Sequence, residues 1–222
     1  MLASTAFSDL PADPREAAAE LLRGLMLSEQ TINLSALILN FRDCDLLEVD
    51  IEGDGYCLPA GMLSDKTLIV IPSKGHGERR RFTLAHELGH LACHYNGAEI
   101  PVVDEERWCD SFASELLMPR ARVDAFAATV SCLADWLRFP GHFEVSRTAA
   151  ARQLWDYCGV VLVAGQLNAK FGDSRYEAVR AELILLASVA EAVGDSVGKL
   201  ADGTPCLIRK RRGKGYCAVA RT

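Results

Sequence analysis

After Pro14 the chain carries an Ala/Leu-rich amphipathic pattern that predicts one helix over 16–27 and a second over 31–40, both in the core. Three short β-rich runs follow, at 46–51, 56–59 and 67–71, separated by Gly53-Asp54-Gly55 and Gly61. They predict a small three-stranded sheet, with 67–71 as a buried strand. Helical spacing then returns over 78–95 and 104–118, and again over 120–137 and 146–157 with an interruption at Pro140-Gly141. From Val160 the pattern changes: 160–164 reads as a strand, 176–193 as a helix and 205–219 as a hairpin. The expected fold class is therefore α+β, with a main domain over 1–140, a helical segment over 141–159 and a small α+β region over 160–222.

Within the helix at 78–95 stands His86-Glu87-Leu88-Gly89-His90. Positions i and i+4 of a helix lie one above the other. His86 and His90 can thus both turn a ring nitrogen toward one tetrahedral Zn²⁺, while Glu87 sits where it can take the proton of a metal-bound water. Phe82, Ala85, Leu88 and Leu91 alternate with that polar face, as a buried helix requires. Two satisfied core histidines are the competing reading, and this context disfavours it.

A catalytic zinc takes three protein ligands and keeps one open position, so a third ligand is needed downstream. The long motif with a third histidine requires Gly at 93 and His at 96; the chain has Cys93 and Asn96, which excludes that class. Cys93 would crowd three ligands onto one helix turn and is assigned to packing, and His94 points off the metal face. An acidic residue on the helix at 104–118 remains. Glu106 and Asp110 are i and i+4, so one can bind metal while the other holds a histidine by its distal N–H. The residues alone do not rank them.

Arg81 to His90, followed by Glu106-x-x-Cys109-Asp110-x-Phe112-Ala113-x-x-Leu116-Leu117-Met118-Pro119, resembles the ImmA/IrrE family of zinc metallo-endopeptidases. That family has Glu-x-x-Ala-Asn-x-Phe-Ala-x-x-Leu-Leu-Met-Pro, and its opening Glu is the third zinc ligand. The resemblance covers about residues 66–119 and implies a zincin-like, gluzincin-like peptidase core. It implies His86, His90 and Glu106 as metal ligands and Glu87 as the catalytic base. The chain departs from the pattern at Cys109 and Asp110, where Ala and Asn are usual. The resemblance further implies a protein substrate of the repressor or antitoxin-like class, in a bacterial or phage stress or mobile-element switch. The rival reading is a zinc-containing regulatory module that binds a transcription partner or DNA and cuts nothing. Glu87 argues against it, because a structural zinc needs no base.

Ser146 is the expected N-cap of the helix at 146–157. This segment is likened to a helix-turn-helix in some family members, yet Ala149, Ala150 and Leu154 read as a packing face. The net charge of −6 also disfavours direct DNA binding. One basic run, Arg209 to Lys214, reads as a solvated hairpin turn. Eight dispersed cysteines without a Cys-x-x-Cys pair, no signal-like start and no apolar run of spanning length lead to the expectation of reduced thiols in a cytoplasm and no membrane contact. His76, Tyr56, Arg79 and His142 are open candidates for stabilising an oxyanion.

Overall fold

The computed structural model of the chain describes residues 7, 10–27, 32–75, 77–96, 102–164, 173–189, 194–211 and 215–221. Packing divides the chain into two compact units, Met1–Pro119 and Arg120–Thr222, whereas the hydrophobic pattern suggests divisions at 140 and 159. The architecture is α+β in both, with helices and one small sheet in each.

In the first unit, α1 (Pro14–Gly24) starts where Asp13 accepts from the backbone N–H groups of Arg15 and Glu16 at 2.9 and 3.0 Å. It ends three residues short of the expected 27. Asn33 caps α2 (Leu34–Asn40) in the same way through Ala36 at 3.0 Å. The three expected strands form as β1 (Cys44–Val49), β2 (Tyr56–Leu58) and β3 (Thr67–Pro72). Their spatial order is β1-β3-β2, with β1 parallel and β2 antiparallel to β3. The apolar run of β3 follows from this central place, since Ile69, Val70 and Ile71 are all buried.

Two long helices complete the unit, α3 (Gly77–Asn96) and α4 (Val102–Leu117), which pack on each other, while α3 also lies on β2 and β3 and α4 on α1. Along the α3–α4 contact, His90 meets Glu105, Gly89 meets Cys109 and His86 meets Asp110. The numbers rise on one helix as they fall on the other, so the pair is antiparallel. Gly89 makes this approach feasible. Glycine inside a helix costs roughly 0.5–1 kcal/mol relative to alanine, but a Cβ here would stand 3.0 Å from both Cα and Cβ of Cys109. The indole N–H of Trp108 donates to the carbonyl of Ala12 at 2.8 Å and ties α4 to the segment ahead of α1.

The second unit begins with α5 (Arg120–Thr129), α6 (Leu133–Trp136), α7 (Phe139–Phe143) and α8 (Arg147–Cys158). The helix expected over 120–137 is therefore two helices. Asp135 causes the break: its carboxylate accepts from the backbone N–H groups of Ser131 and Cys132 at 3.0 and 3.1 Å and restarts the chain as α6. Pro140-Gly141 does not interrupt a helix but lies inside α7, where proline near the first turn needs no intrahelical N–H. Phe126, Phe139 and Phe143 pack as one aromatic group, with ring centroids 5.2 and 4.6 Å apart in sequence order. Ser146 caps α8 through Ala149 at 3.1 Å, as expected, and Ala150 and Leu154 are buried.

A four-stranded antiparallel sheet follows in the order β4-β7-β6-β5, built from β4 (Val160–Ala164), β5 (Gly194–Lys199), β6 (Pro205–Arg211) and β7 (Gly215–Arg221). Helix α9 (Ser174–Val189) packs on β4, β6 and β7, and Tyr176, Leu183, Cys206, Ile208 and Ala218 form the core between them. The hairpin expected at 205–219 is β6–β7, and its turn residues 212–214 lie outside the described residues. Strand β5 had no counterpart in the hydrophobic pattern. No described helix is long and apolar enough to cross a membrane.

Candidate metal centre

The first-unit helices bring four of the expected residues together. Three of them, His86, His90 and Glu106, place one donor atom each within 4.8 Å of one another. Glu106 lies between the two rings, with Oε2 at 3.2 Å from His86 Nε2 and Oε1 at 3.5 Å from His90 Nε2. Each ring is held from behind by a second carboxylate. His86 Nδ1 lies 3.0 Å from Asp110 Oδ1, and His90 Nδ1 lies 2.7 Å from Glu105 Oε1. When Nδ1–H donates to those carboxylates, both Nε2 lone pairs face Glu106.

Lone pairs and an anion converging on one point repel unless a cation lies between them. A proton is one solution. Burial pulls the His86 pKa down, but the hydrogen bond and charge of Asp110, with Glu87 and Glu106, outweigh it and hold the pKa above the ordinary value. A metal ion is the other, and two imidazoles plus one carboxylate are the donors a catalytic Zn²⁺ takes. The rear carboxylates match the arrangement by which metal-bound histidines are oriented.

Glu87 provides a further reason to place a cation here. It is 2 % exposed, and its Oε2 has no hydrogen-bond partner among the described residues. Burial pushes its pKa up to about 6, against the opposing pull of His90 and His86. A buried carboxylate oxygen without a partner is costly, and in this position a cation and its attendant water would satisfy it. The residues present therefore fit a zinc ion.

These groups line a cleft of about 720 Å³. Its far wall is the entry to β2, where Gly55 lies against Glu87: a Cβ at Gly55 would come 2.7 Å from the Val70 carbonyl oxygen and 3.1 Å from Glu87 Oε1. Cys57 also lines the cleft, and burial, with the nearby charge of Glu87, pushes its thiol pKa up to about 12. It stays a neutral thiol. Of the open oxyanion candidates, Tyr56 lines the cleft, whereas Arg79 is paired with Asp54 at 2.7 Å, His142 belongs to the second unit and His76 lies outside the described residues.

Sequence reasoning did not find Glu105, Cys57 or Gly55. For Glu105 a signal existed, since it precedes Glu106 in a helix whose i+5 position is also acidic; for Cys57 and Gly55 only the β2–α3 contact reveals the role. His94 is exposed and also lines the cleft, while Cys93 and Cys109 are buried and share a hydrogen bond. None of the seven cysteines whose side chains are described is in a disulfide.

Residues 39–154 match the Peptidase_M78 family, described as the IrrE N-terminal-like domain. The match spans more than half of the chain, and the chain belongs to this peptidase-like family. No curated protein matches. Among solved structures, one described as a Mycobacterium tuberculosis transcriptional regulator superposes with a TM-score of 0.54 over 98 % of this chain and 90 % of that one. At 14 % identity that likeness shows a shared fold.

Proposed function

We propose that this protein is a zinc-dependent endopeptidase, with His86, His90 and Glu106 as metal ligands and Glu87 as the catalytic base. The single observation that carries this reading is the buried, unpartnered Oε2 of Glu87 beside a converging two-histidine, one-carboxylate donor set. A zinc ion bound there would polarise the scissile carbonyl and acidify a water. Glu87 then accepts the water proton at Oε2 and delivers it to the leaving nitrogen. Asp110 and Glu105 keep the imidazoles in the tautomer that faces the metal. Gly55 holds β2 close enough to exclude bulk water from Glu87.

The substrate would enter as an extended strand. β2 is an edge of its sheet and lines the cleft, whereas β3 is central and already paired on both sides. Backbone pairing to an edge aligns a peptide bond without demanding one sequence. The substrate class we propose is a DNA-binding repressor or antitoxin-like regulator, on the strength of the family.

Zinc-loaded wild type, mixed with the DNA-binding regulator encoded beside its gene, is expected to yield two fragments, and Glu87→Gln is expected to yield none while retaining zinc. Cleavage by both proteins, or by neither with metal bound, would sink the reading. Binding of the intact regulator without cleavage would instead favour a non-proteolytic regulatory module, the reading that the name of the similar solved structure supports.

A further inference from the structure

Behind His90 lies a second donor set of different chemistry. His90, Glu105 and Cys109 place one donor atom each within 4.8 Å of one another. His90 Nδ1 and Glu105 Oε1 are already 2.7 Å apart. Tetrahedral coordination with bonds of about 2.0–2.3 Å spaces its ligands about 3.3–3.8 Å apart, so the required shifts are small side-chain rotations. Glu105, about a third exposed, has the freedom to make them. Cys109 is the fixed point: it is fully buried, clamped where α4 crosses Gly89 of α3, and hydrogen-bonded to Cys93. Cys93 and Glu105 line the cleft beside it.

The two sets share His90, and a neutral imidazole has one lone pair. In the Nδ1–H tautomer the ring donates to Glu105 and turns its Nε2 lone pair toward Glu106, 3.5 Å away. In the Nε2–H tautomer the proton faces Glu106, and the Nδ1 lone pair faces Glu105 and Cys109. A cation behind the ring and a cation in front of it therefore exclude each other. Sulfur decides which ion favours the rear, because thiolate prefers soft metals where carboxylate and imidazole suit borderline and harder ones.

We propose that His90 Nδ1, Glu105 and Cys109 form a second, thiolate-containing metal position, selective for soft divalent cations, that strips His90 from the first set when it is filled. On binding, the Cys109 Sγ–H proton leaves to solvent and the ring proton moves from Nδ1 to Nε2; no electrons are transferred. The Cys93 sulfur, which accepts the Cys109 S–H, and burial hold the Cys109 pKa well above the ordinary thiol value, so only an ion that bonds sulfur strongly takes that proton's place. The rear position needs the front set only as a competitor, so it stands whether or not the protein cleaves peptides.

The test is a titration of the full-length, metal-free protein with Cd²⁺, followed by the ultraviolet charge-transfer band of a thiolate–cadmium bond. Wild type is expected to develop the band to saturation at one equivalent. His86→Ala, which damages only the front set, should keep it, as should Cys93→Ala. Cys109→Ala should abolish it, and Glu105→Gln should weaken Cd²⁺ binding by more than about 100-fold, beyond the loss of a residue that only orients a ligand. Cys109→Ser, of nearly native volume, repeats the measurement if the alanine variant melts early. Absence of the band in wild type, or its survival in both Cys109 variants, overturns the proposal. In zinc-loaded wild type each Cd²⁺ bound should release one Zn²⁺; retention of both ions would overturn the exclusion at His90.

Discussion

Two groups of acidic side chains, one in each unit, lie in opposite electrostatic situations. In the first, Glu87 is buried, its pKa is raised to about 6 and one oxygen lacks a partner among the described residues, while Glu106 faces the Nε2 atoms of two imidazoles. In the second, Asp135, Asp173 and Asp202 all have depressed pKa values, because backbone N–H groups donate to each of them first. Asp173 caps α9 through Tyr176 at 2.9 Å and takes the Trp155 indole N–H at 2.9 Å. Carboxylates whose bonds are met locally stabilise the helix start or the turn that they close. Carboxylates held together with their needs unmet mark the candidate metal centre.

The comparison breaks most readily at Glu87. Glu87→Gln is expected to lower peptidase turnover by about 10²–10⁴-fold, the usual worth of general acid–base catalysis, while zinc content measured on the purified protein stays at one. Loss of zinc would instead make Glu87 a ligand. Next in size, Glu106→Ala should weaken zinc binding by more than about 100-fold and Asp110→Ala by about 10–100-fold, as read by chelator competition. Equal losses would erase the distinction between a ligand and a residue that orients one.

Gly89→Ala tests whether the helix crossing positions the site. Its Cβ would stand 3.0 Å from the Cys109 Cα, a backbone atom that no rotamer change moves. Overpacking of this kind costs about 1–3 kcal/mol, so both the melting temperature and zinc affinity should fall. Unchanged zinc affinity with a lowered melting temperature would separate the site from the crossing.

For the second unit the prediction concerns pH. The pKa of Asp173 is lowered on folding, chiefly by the Tyr176 N–H and the Trp155 N–H. Its stabilisation is therefore present above the ordinary aspartate value of about 3.9 and is lost as pH falls through the folded value. Asp173→Ala should lower the melting temperature at neutral pH, and the gap to wild type should close in acid. A gap independent of pH would mean that packing, not charge, is lost. The smallest effect is expected at Arg79→Ala, since its pair with Asp54 is exposed on both sides: about 0–1 kcal/mol of stability and no change in zinc affinity.

Local chemistry made much of the site legible. The i, i+4 histidines, the cap at Ser146, the start of α1 at Pro14 and the buried run of β3 each depend on neighbours within one element. Strand β5 was not legible because Gly194-Asp-Ser-Val-Gly-Lys199 has neither alternation nor an apolar run. Its extended form is imposed by pairing with β6, from Gly194 opposite Lys210 to Lys199 opposite Pro205. The break between α5 and α6 was missed for the opposite reason: an aspartate that could sit on any helix face instead accepts from Ser131 and Cys132 behind it.

By itself, then, the sequence determined that two imidazoles share one helix face, because 3.6 residues per turn sets positions i and i+4 one above the other. Only the tertiary structure decided which acid stands in front of the rings and which behind. Glu105, Glu106 and Asp110 are chemically alike and close along one helix, so what distinguishes them is the antiparallel crossing of α3 and α4 at Gly89 and Cys109. That crossing sets Glu106 before both Nε2 atoms, Glu105 and Asp110 behind the Nδ1 atoms, and the Cys109 sulfur within reach of the same ring.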